Sequence, residues 1–535
     1  MHPYLRVVSG SRFLLLVLAT SASSAQETLL SWVGGANSCY GTDGEQLGKS
    51  VADAGDLTGD GVPDVLLGAP GADGWGLCSG WARVYSGAGR ALVLDLDGGP
   101  NSGGYGIAVD GLGDLDGDGA GDFAVGGSSF VVPGFGQPGR VYVYSGSSAT
   151  PLWDAAGETP GANMGWAAAA AGDLDGDGNG DLVSGAFNHQ VGGMLLGKVY
   201  LLSGADGSEI RSWIGAGGSF GRAVAGPGDL DLDGVPDVAV GAEQADNLAG
   251  FAVGRVEAYS AATGAQIGCW EGEAPGAYFG AAVGAAGDVD GDGRPDLAVG
   301  APRHEASAGV FQGRAYAYSG ATPQLLWSTD GEQSGAQLGA ALAGAGDLTG
   351  DGRAELLVGS PGYDGPSGLL GGRTYLLAGL SGEALWSWDG ELLDDAFGSA
   401  VSPAGDLDGD GVGNLLVGAW HHDGGLGIHR GKSYVFRGND LYLEVDPRTV
   451  PPNSTVTVVT RGGVPALPAG LVLVAFQGAP QFLLLAPGTF DPFGTWSLGI
   501  PVGTGLAGIA LEVQSHALSA SFALVDSNVQ SVVFL

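Results

Sequence analysis

The sequence predicts an all-β protein: a seven-bladed β-propeller with calcium loops, followed by a small β-sandwich-like domain. Three observations carry this reading. A nine-residue acidic loop occurs seven times, beginning at Asp56, Asp114, Asp173, Asp229, Asp288, Asp347 and Asp406, at steps of 58, 59, 56, 59, 59 and 59 residues. Each loop sits among four short segments rich in β-branched, aromatic and small residues. No stretch has the length and 3.6-residue periodicity of a substantial helix. The chain holds 105 Gly and 26 Pro in 535 residues, close to the level of low-complexity chains. The regular period overrules that class and implies tandem units that pack on their neighbours.

Composition narrows the function. A formal charge of −38 argues against nucleic acid or an anionic membrane surface as a partner. Much of the acidity has a local use, because 25 of the 58 carboxylates stand at the loop ligand positions. The 44% hydrophobic content is enough for a large core. No segment after residue 25 reaches the roughly 18 apolar residues of a membrane span, and a monomer is expected.

Taken in order, residues 1–25 read as a secretory signal: Arg6 and Arg12 precede the apolar run 13–22, and Ala25 offers a small residue for cleavage before Gln26. The protein is therefore expected at the cell surface or secreted, in an oxidising compartment. Of three cysteines, Cys39 and Cys78 fall on connections of the same blade and are expected to form a disulfide. Cys269, beside Trp270, is expected to be free and buried.

In the acidic loop, carboxylates two residues apart turn toward one point, a backbone carbonyl follows at position seven and position nine closes the set. Such a segment offers the about six to eight oxygens that Ca²⁺ takes. Position six is glycine every time, where the chain turns sharply. The sets are Asp56, Thr58, Asp60, Val62 (carbonyl) and Asp64; Asp114, Asp116, Asp118, Ala120 (carbonyl) and Asp122; Asp173, Asp175, Asp177, Asn179 (carbonyl) and Asp181. They continue with Asp229, Asp231, Asp233, Val235 (carbonyl) and Asp237; Asp288, Asp290, Asp292, Arg294 (carbonyl) and Asp296; Asp347, Thr349, Asp351, Arg353 (carbonyl) and Glu355. The seventh is Asp406, Asp408, Asp410, Val412 (carbonyl) and Asn414. Up to seven Ca²⁺ ions are expected, one per blade. An EF-hand is excluded because position twelve is apolar, as at Leu67, Val125 and Val299.

Around each loop the unit reads strand, loop, strand, strand, strand over residues 28–438. The fifth copy places Phe279-Gly280 before its loop and Gly300-Ala301-Pro302 after it. This arrangement resembles the FG-GAP repeat, the unit of the seven-bladed propeller at the N-terminus of integrin α-subunits. Tyr105-Gly106, Phe220-Gly221 and Phe397-Gly398 keep the aromatic-glycine pair, whereas Leu47-Gly48, Met164-Gly165 and Leu338-Gly339 carry an aliphatic. Gly68-Ala69-Pro70 repeats the second signature and Gly126-Gly127-Ser128 departs furthest from it. The resemblance implies calcium loops on one face of the ring and recognition on the other. It departs from integrins, which carry calcium in only some blades, by having a loop in every repeat.

The segment 29–33 matches the tryptophan-bearing fourth strand of the other units (Trp153, Trp213, Trp270, Trp327, Trp386), and no such strand follows Gly438. The N-terminal strand should therefore complete blade seven, with the tryptophans packing blade against blade. After Pro447, Pro451 and Pro452 the loops stop. Strand-like runs at 455–460, 471–476, 482–485, 509–513, 522–525 and 531–535 give the sandwich-like domain, residues 441–535.

Unusual residues gather in the connections opposite the loops. These include His189, His304, His421, His422 and His429, and the aromatics Trp75, Phe130, Phe135, Phe187, Phe251, Phe311 and Tyr363. Exposed aromatics suit a protein partner or a sugar ring; the same rings could instead pack the loops together. The adjacent His421 and His422 point to opposite sides of an extended chain and are poorly placed to share an ion. The expected function is a non-catalytic, calcium-stabilised module that presents loops to an extracellular protein or glycan. The alternative is a polysaccharide hydrolase or lyase on that same face. Glu45, Glu158, Glu273, Glu332 and Glu391 recur there, one per repeat in five repeats, a regularity closer to a structural device than to a unique active site.

Overall fold

The computed structural model describes residues 28–35, 44–73, 79–99, 103–128, 138–306, 309–320, 322–366, 368–423 and 429–438 in full. It also describes the backbone of residue 307 and of strands outside those ranges. The chain divides into two compact units, Leu29–Phe436 and a second made of Met1–Thr28 with Arg437–Leu535.

The first unit is a ring of seven four-stranded antiparallel sheets. Blade one consists of Ser50–Gly55, Asp64–Ala69, Trp81–Tyr85 and Leu92–Asp97, in that order from the inside out. Blades two to six repeat the pattern over 105–156, 167–214, 223–271, 282–330 and 341–389. Blade seven takes Phe397–Pro403, Leu415–Ala419 and Lys432–Phe436 from its own repeat, and its outermost strand is Thr28–Val33. The N-terminal segment therefore closes the ring, as its register predicted. Small hairpins, Gln190–Val191 with Met194–Leu195 and Glu305–Ser307 with Val310–Phe311, decorate blades three and five.

Why these strands form a ring is visible in the glycines of the repeat signature. A side chain on the first glycine of the Gly-Ala-Pro segment would lie 1.8–2.1 Å from the carbonyl of the glycine that follows the aromatic or aliphatic residue in the next blade. This holds for the pairs 68/106, 126/165, 185/221, 241/280, 300/339, 359/398 and 418/48. Contact at that distance admits no methyl group, so neighbouring blades meet backbone to backbone near the axis. The weakest signature, Gly126-Gly127-Ser128, keeps this first glycine. The residue before the paired glycine is at most 2% exposed in every copy, whether Tyr105, Phe220, Phe279 and Phe397 or Leu47, Met164 and Leu338. Burial of an apolar side chain is what the position requires, and an aliphatic satisfies it.

Farther out, the tryptophans join each blade to the next. Trp153, Trp213 and Trp327 donate from Nε1 to the carbonyls of Gly204 (2.7 Å), Gly264 (3.1 Å) and Gly379 (2.5 Å), each in the outer turn of the following blade. Trp213, Trp270 and Trp32 lie against Tyr259, Tyr318 and Tyr85 of the next blade at ring separations of 5.0, 5.8 and 5.2 Å. In blade six this contact is made by Trp388, which is 4% exposed and 5.2 Å from Phe436, two residues beyond the Trp386 expected from sequence. Cys269 is free but exposed, contrary to expectation. Strand alternation gives the buried side to Trp270 and turns its neighbour outward. Cys39 and Cys78 lie outside the described residues.

The second unit is described by its backbone. Tyr4–Gly10, Phe13–Ala19, Leu471–Phe476 and Ala479–Leu484 form one sheet. Tyr442–Val445, Thr455–Arg461, Ala510–Gln514 and Thr495–Gly499 form another, with a parallel pair at its centre. The strand Thr495–Gly499 was not foreseen, and the runs at 522–525 and 531–535 lie outside the described residues. Among the described residues no helix is long and apolar enough to cross a membrane.

Candidate functional site

Antiparallel order sets which residues share a face. The connections from first to second and from third to fourth strands emerge at one end of every blade; the second-to-third and inter-blade connections emerge at the other. At the first end, each acidic loop is wound by its own carboxylates. In loop three, Asp173 accepts from the N–H groups of Gly176 (2.7 Å) and Gly178 (3.0 Å), and Asp177 accepts from Asn179 (2.7 Å). Position nine is the anchor. Asp181 is fully buried and takes Leu174 N–H (2.7 Å) on one oxygen and Gly204 N–H (2.8 Å) on the other. The same bonds recur at Asp64, Asp122 and Asp296, so this residue fastens the loop to the outer turn of its blade. Asn414 keeps one of them through Oδ1, to Leu407 N–H at 2.6 Å.

In loops two to five, positions one, three and nine bring one carboxylate oxygen each to within 4.8 Å of one another. An all-oxygen set of that size fits a hard cation such as Ca²⁺. Burial pushes position nine upward, to about 6 at Asp237 and Asp296 and to about 7 at Glu355. A cation bound there would favour the ionised form and oppose that shift. Position four demands a left-handed backbone. Gly59, Gly117, Gly176, Gly291, Gly350 and Gly409 have φ between 66° and 81°, and loop four places Leu232 there at φ 61°. That requirement was legible in the recurring glycine and was not read.

On the opposite face, the recurring glutamates are committed to pairs. Glu45, Glu158, Glu273, Glu332 and Glu391 lie 2.7–3.2 Å from Arg83, Lys198, Arg314, Arg373 and Lys432, each of which stands at or near the start of its blade's third strand. At the mouth of the axis, residues preceding the first strands meet residues following the second strands. The Arg222 guanidinium lies over Trp166 (4.6 Å) and Phe187 (5.0 Å) and 3.0 Å from Glu243, and Lys49 Nζ lies over Trp420 at 3.9 Å. Burial, with the charge of Arg222 added, pushes the Lys49 amine down to about 8. Deeper, the first strands line a cavity of about 530 Å³ walled by Ala, Gly, Val and Leu, with Asp53, Asp110 and Ser402 as its polar side chains.

The repeat family matched is the FG-GAP repeat, over residues 50–94, 279–318 and 338–377. Residues 29–436 are a seven-bladed propeller that carries FG-GAP repeats in blades one, five and six. Integrin alpha-PS2 of Drosophila melanogaster is 36% identical over 221 residues, 37% of this chain and 15% of that protein. Integrin alpha-IIb of Homo sapiens is 37% identical over 166 residues, 28% of this chain and 15% of that protein. Phosphatidylinositol-glycan-specific phospholipase D of Homo sapiens is 34% identical over 246 residues, 39% of this chain and 28% of that protein. The chain thus spans between about a seventh and somewhat over a quarter of the length of these relatives.

Within this propeller the histidines separate by environment. His189 and His304 are each 4% exposed and are held down in pKa by burial; His304 packs edge-on against Tyr316. His422 is buried, with Nδ1 3.1 Å from Asp395. Its neighbour His421 points the other way, as adjacent residues of an extended chain do, and there meets His429 and Asp394. The sequence made His421 and His422 poor partners for one ion, and it did not foresee this cluster. Of the loop aromatics, Phe187 and Tyr363 are packed under Arg222 and Arg373, whereas Phe251 (81%) and Phe311 (41%) are exposed. Trp75, Phe130 and Phe135 lie outside the described residues.

Proposed function

We propose that this chain is an exported, calcium-stabilised recognition module that binds an anionic group of an extracellular protein or glycan at the axial mouth opposite the calcium loops. The observation that carries this reading is the cationic and aromatic cluster of Lys49, Arg222, Trp166, Phe187 and Trp420. In a chain with 20 basic and 58 acidic residues, Arg222 is met by Glu243 at 3.0 Å, whereas the buried Lys49 amine feels the Arg222 charge and is pushed toward its neutral form, an arrangement with a charge cost. An anion seated between them relieves it and gains charge-assisted hydrogen bonds. Export rests on residues 1–25 as a signal and calcium on the seven loops; the sandwich-like reading of 441–535 and the monomeric state belong to the same proposal. The rival hydrolase or lyase needs convergent carboxylates free to act, and the five recurring glutamates are each held by a basic partner.

The test is binding of the calcium-loaded chain to an array of sulfated, uronic and neutral oligosaccharides and to acidic peptides, alongside turnover assays. Anionic members should bind with an affinity that falls with salt, and Lys49→Ala or Arg222→Ala should weaken binding at least about tenfold. Equal binding by the variants, or turnover of a polysaccharide, would overturn the reading.

A further inference from the structure

Blade seven carries a second kind of ligand cluster on the face opposite the calcium loops. Asp394 lies in the connection entering the blade, in a left-handed conformation (φ 63°), with its N–H donating to the carbonyl of Leu369 (3.0 Å). Such conformations carry strain and persist where the surroundings impose them. The next residue fixes both chains: the fully buried Asp395 accepts from Leu392 N–H (2.8 Å), stands 3.1 Å from His422 Nδ1, and offers its carbonyl to His421 N–H (3.3 Å). His429 comes from the connection between the second and third strands, and its carbonyl accepts from Gln46 N–H (3.2 Å). Three side chains from two connections are thus held by separate backbone anchors.

Their ligand atoms converge. His421 Nδ1 is 3.5 Å from one oxygen of Asp394, His429 Nε2 is 3.8 Å from the other, and one ligand atom from each residue falls within 4.8 Å of the others. His421 Nδ1 is buried yet makes no hydrogen bond. Four ligands at 2.0–2.1 Å around a tetrahedral ion are separated by about 3.3 Å; each imidazole is within about half an ångström of that value from its own oxygen of Asp394, and rotation of the carboxylate would bring one oxygen to serve both nitrogens. The two imidazoles are stacked, 4.2 Å apart at 11°, and must turn about their side-chain torsions to aim both nitrogens at one point. That terminal torsion is soft. The side chains of Asp394, His421 and His429 are 46, 24 and 25% exposed, so solvent reaches the cluster.

We propose that Asp394, His421 and His429 form a site for a Zn²⁺-class cation. Two imidazoles with one carboxylate select Zn²⁺ or Co²⁺ over Ca²⁺, whereas the seven acidic loops, all oxygen, have the opposite preference. One chain would then hold two metals of different chemistry at opposite ends of its blades.

The experiment uses the full chain in saturating Ca²⁺, titrated with Zn²⁺ by calorimetry and with Co²⁺ by visible absorption. The expected result is one Zn²⁺ per chain at micromolar concentration, undisturbed by excess Ca²⁺, and the intense visible bands of four-coordinate Co²⁺ displaced by Zn²⁺. Asp394→Asn, His421→Ala and His429→Ala should each weaken Zn²⁺ at least about tenfold while keeping the parent melting temperature in Ca²⁺. Zinc binding unchanged in these variants would overturn the proposal. If a variant fails to fold, the Co²⁺ spectrum of the parent decides, because only weak six-coordinate absorption would reject the site.

Discussion

Arg90 donates from Nη2 to the carbonyl of Leu29 at 2.8 Å across 61 positions of sequence, tying the outer turn of blade one to the strand that completes blade seven. Trp32 of the same strand lies against Tyr85 and directs Nε1 at the Arg90 carbonyl, 3.5 Å away. The ring is therefore closed by side chains of both blades, Arg90 and Trp32, as well as by the backbone of Thr28–Val33.

Removing 26–34 should destabilise blade seven before any other, although the deletion lies at the opposite end of the sequence. Hydrogen exchange should show 397–436 losing protection first; full protection there would contradict the closure. Trp32→Ala, which leaves the strand in place, should cost about 3–5 kcal/mol, as for other buried large-to-small changes.

Leu232 holds the backbone position that glycine holds in the six other loops. A left-handed conformation costs a side-chain-bearing residue about 1–2 kcal/mol. Leu232→Gly should therefore stabilise the folded chain by about 1 kcal/mol after the added freedom of the unfolded glycine is subtracted. Denaturant unfolding in saturating Ca²⁺ checks the sign.

Asp110 faces the axial cavity, where burial, with the charge of Asp53 added, pushes its carboxyl up to about 6 against the N–H groups of Ala170 and Gly111. A carboxyl raised in the folded state contributes stability that is complete below its unfolded value near 4 and is lost as pH rises through 6. Asp110→Asn does not titrate. Between pH 4 and pH 7 the difference in unfolding free energy should move by about 2–3 kcal/mol in favour of the variant. A difference that stays flat over this window would show that Asp110 ionises in the folded chain as it does in water.

Calcium removal should act in order. Loops one and six hold Thr58 and Thr349 at the third position and loop seven holds Asn414 at the ninth, leaving three carboxylates against the four of loops two to five. Ligand charge raises affinity, so loops one, six and seven should empty first under a graded chelator. Because blades support one another, further chelation should lower the propeller's melting transition strongly and leave 441–535 largely unaffected. An unchanged transition in calorimetry would show that the loops do not depend on the ion.

Residues whose role depends on local spacing were legible in the sequence. The acidic loops, the four-strand unit, the count of blades and the N-terminal strand of blade seven all follow from a period near 58 and from alternation within short segments. The glycines of the repeat signature were visible as a pattern, but their reason was not. Gly300 is required because the carbonyl of Gly339 stands where a side chain would be, and that contact exists only once two blades are packed. The aliphatic copies Leu47, Met164 and Leu338 looked like departures and are equivalent in burial.

The tertiary structure alone decided which distant residues meet. The sequence established that His421 and His422 face opposite ways, because strand geometry is local. It could not show that Asp394, 27 positions earlier, and His429, across a connection, wait on the side to which His421 turns. Likewise Lys49 and Arg222 belong to blades one and four, and only the closed ring places both at one axial mouth. The recurring glutamates were ambiguous between a site and a device until each was found beside its own basic residue. Periodicity fixes what repeats within a blade; what converges between blades is set by ring closure, which acts across hundreds of residues and leaves no local trace.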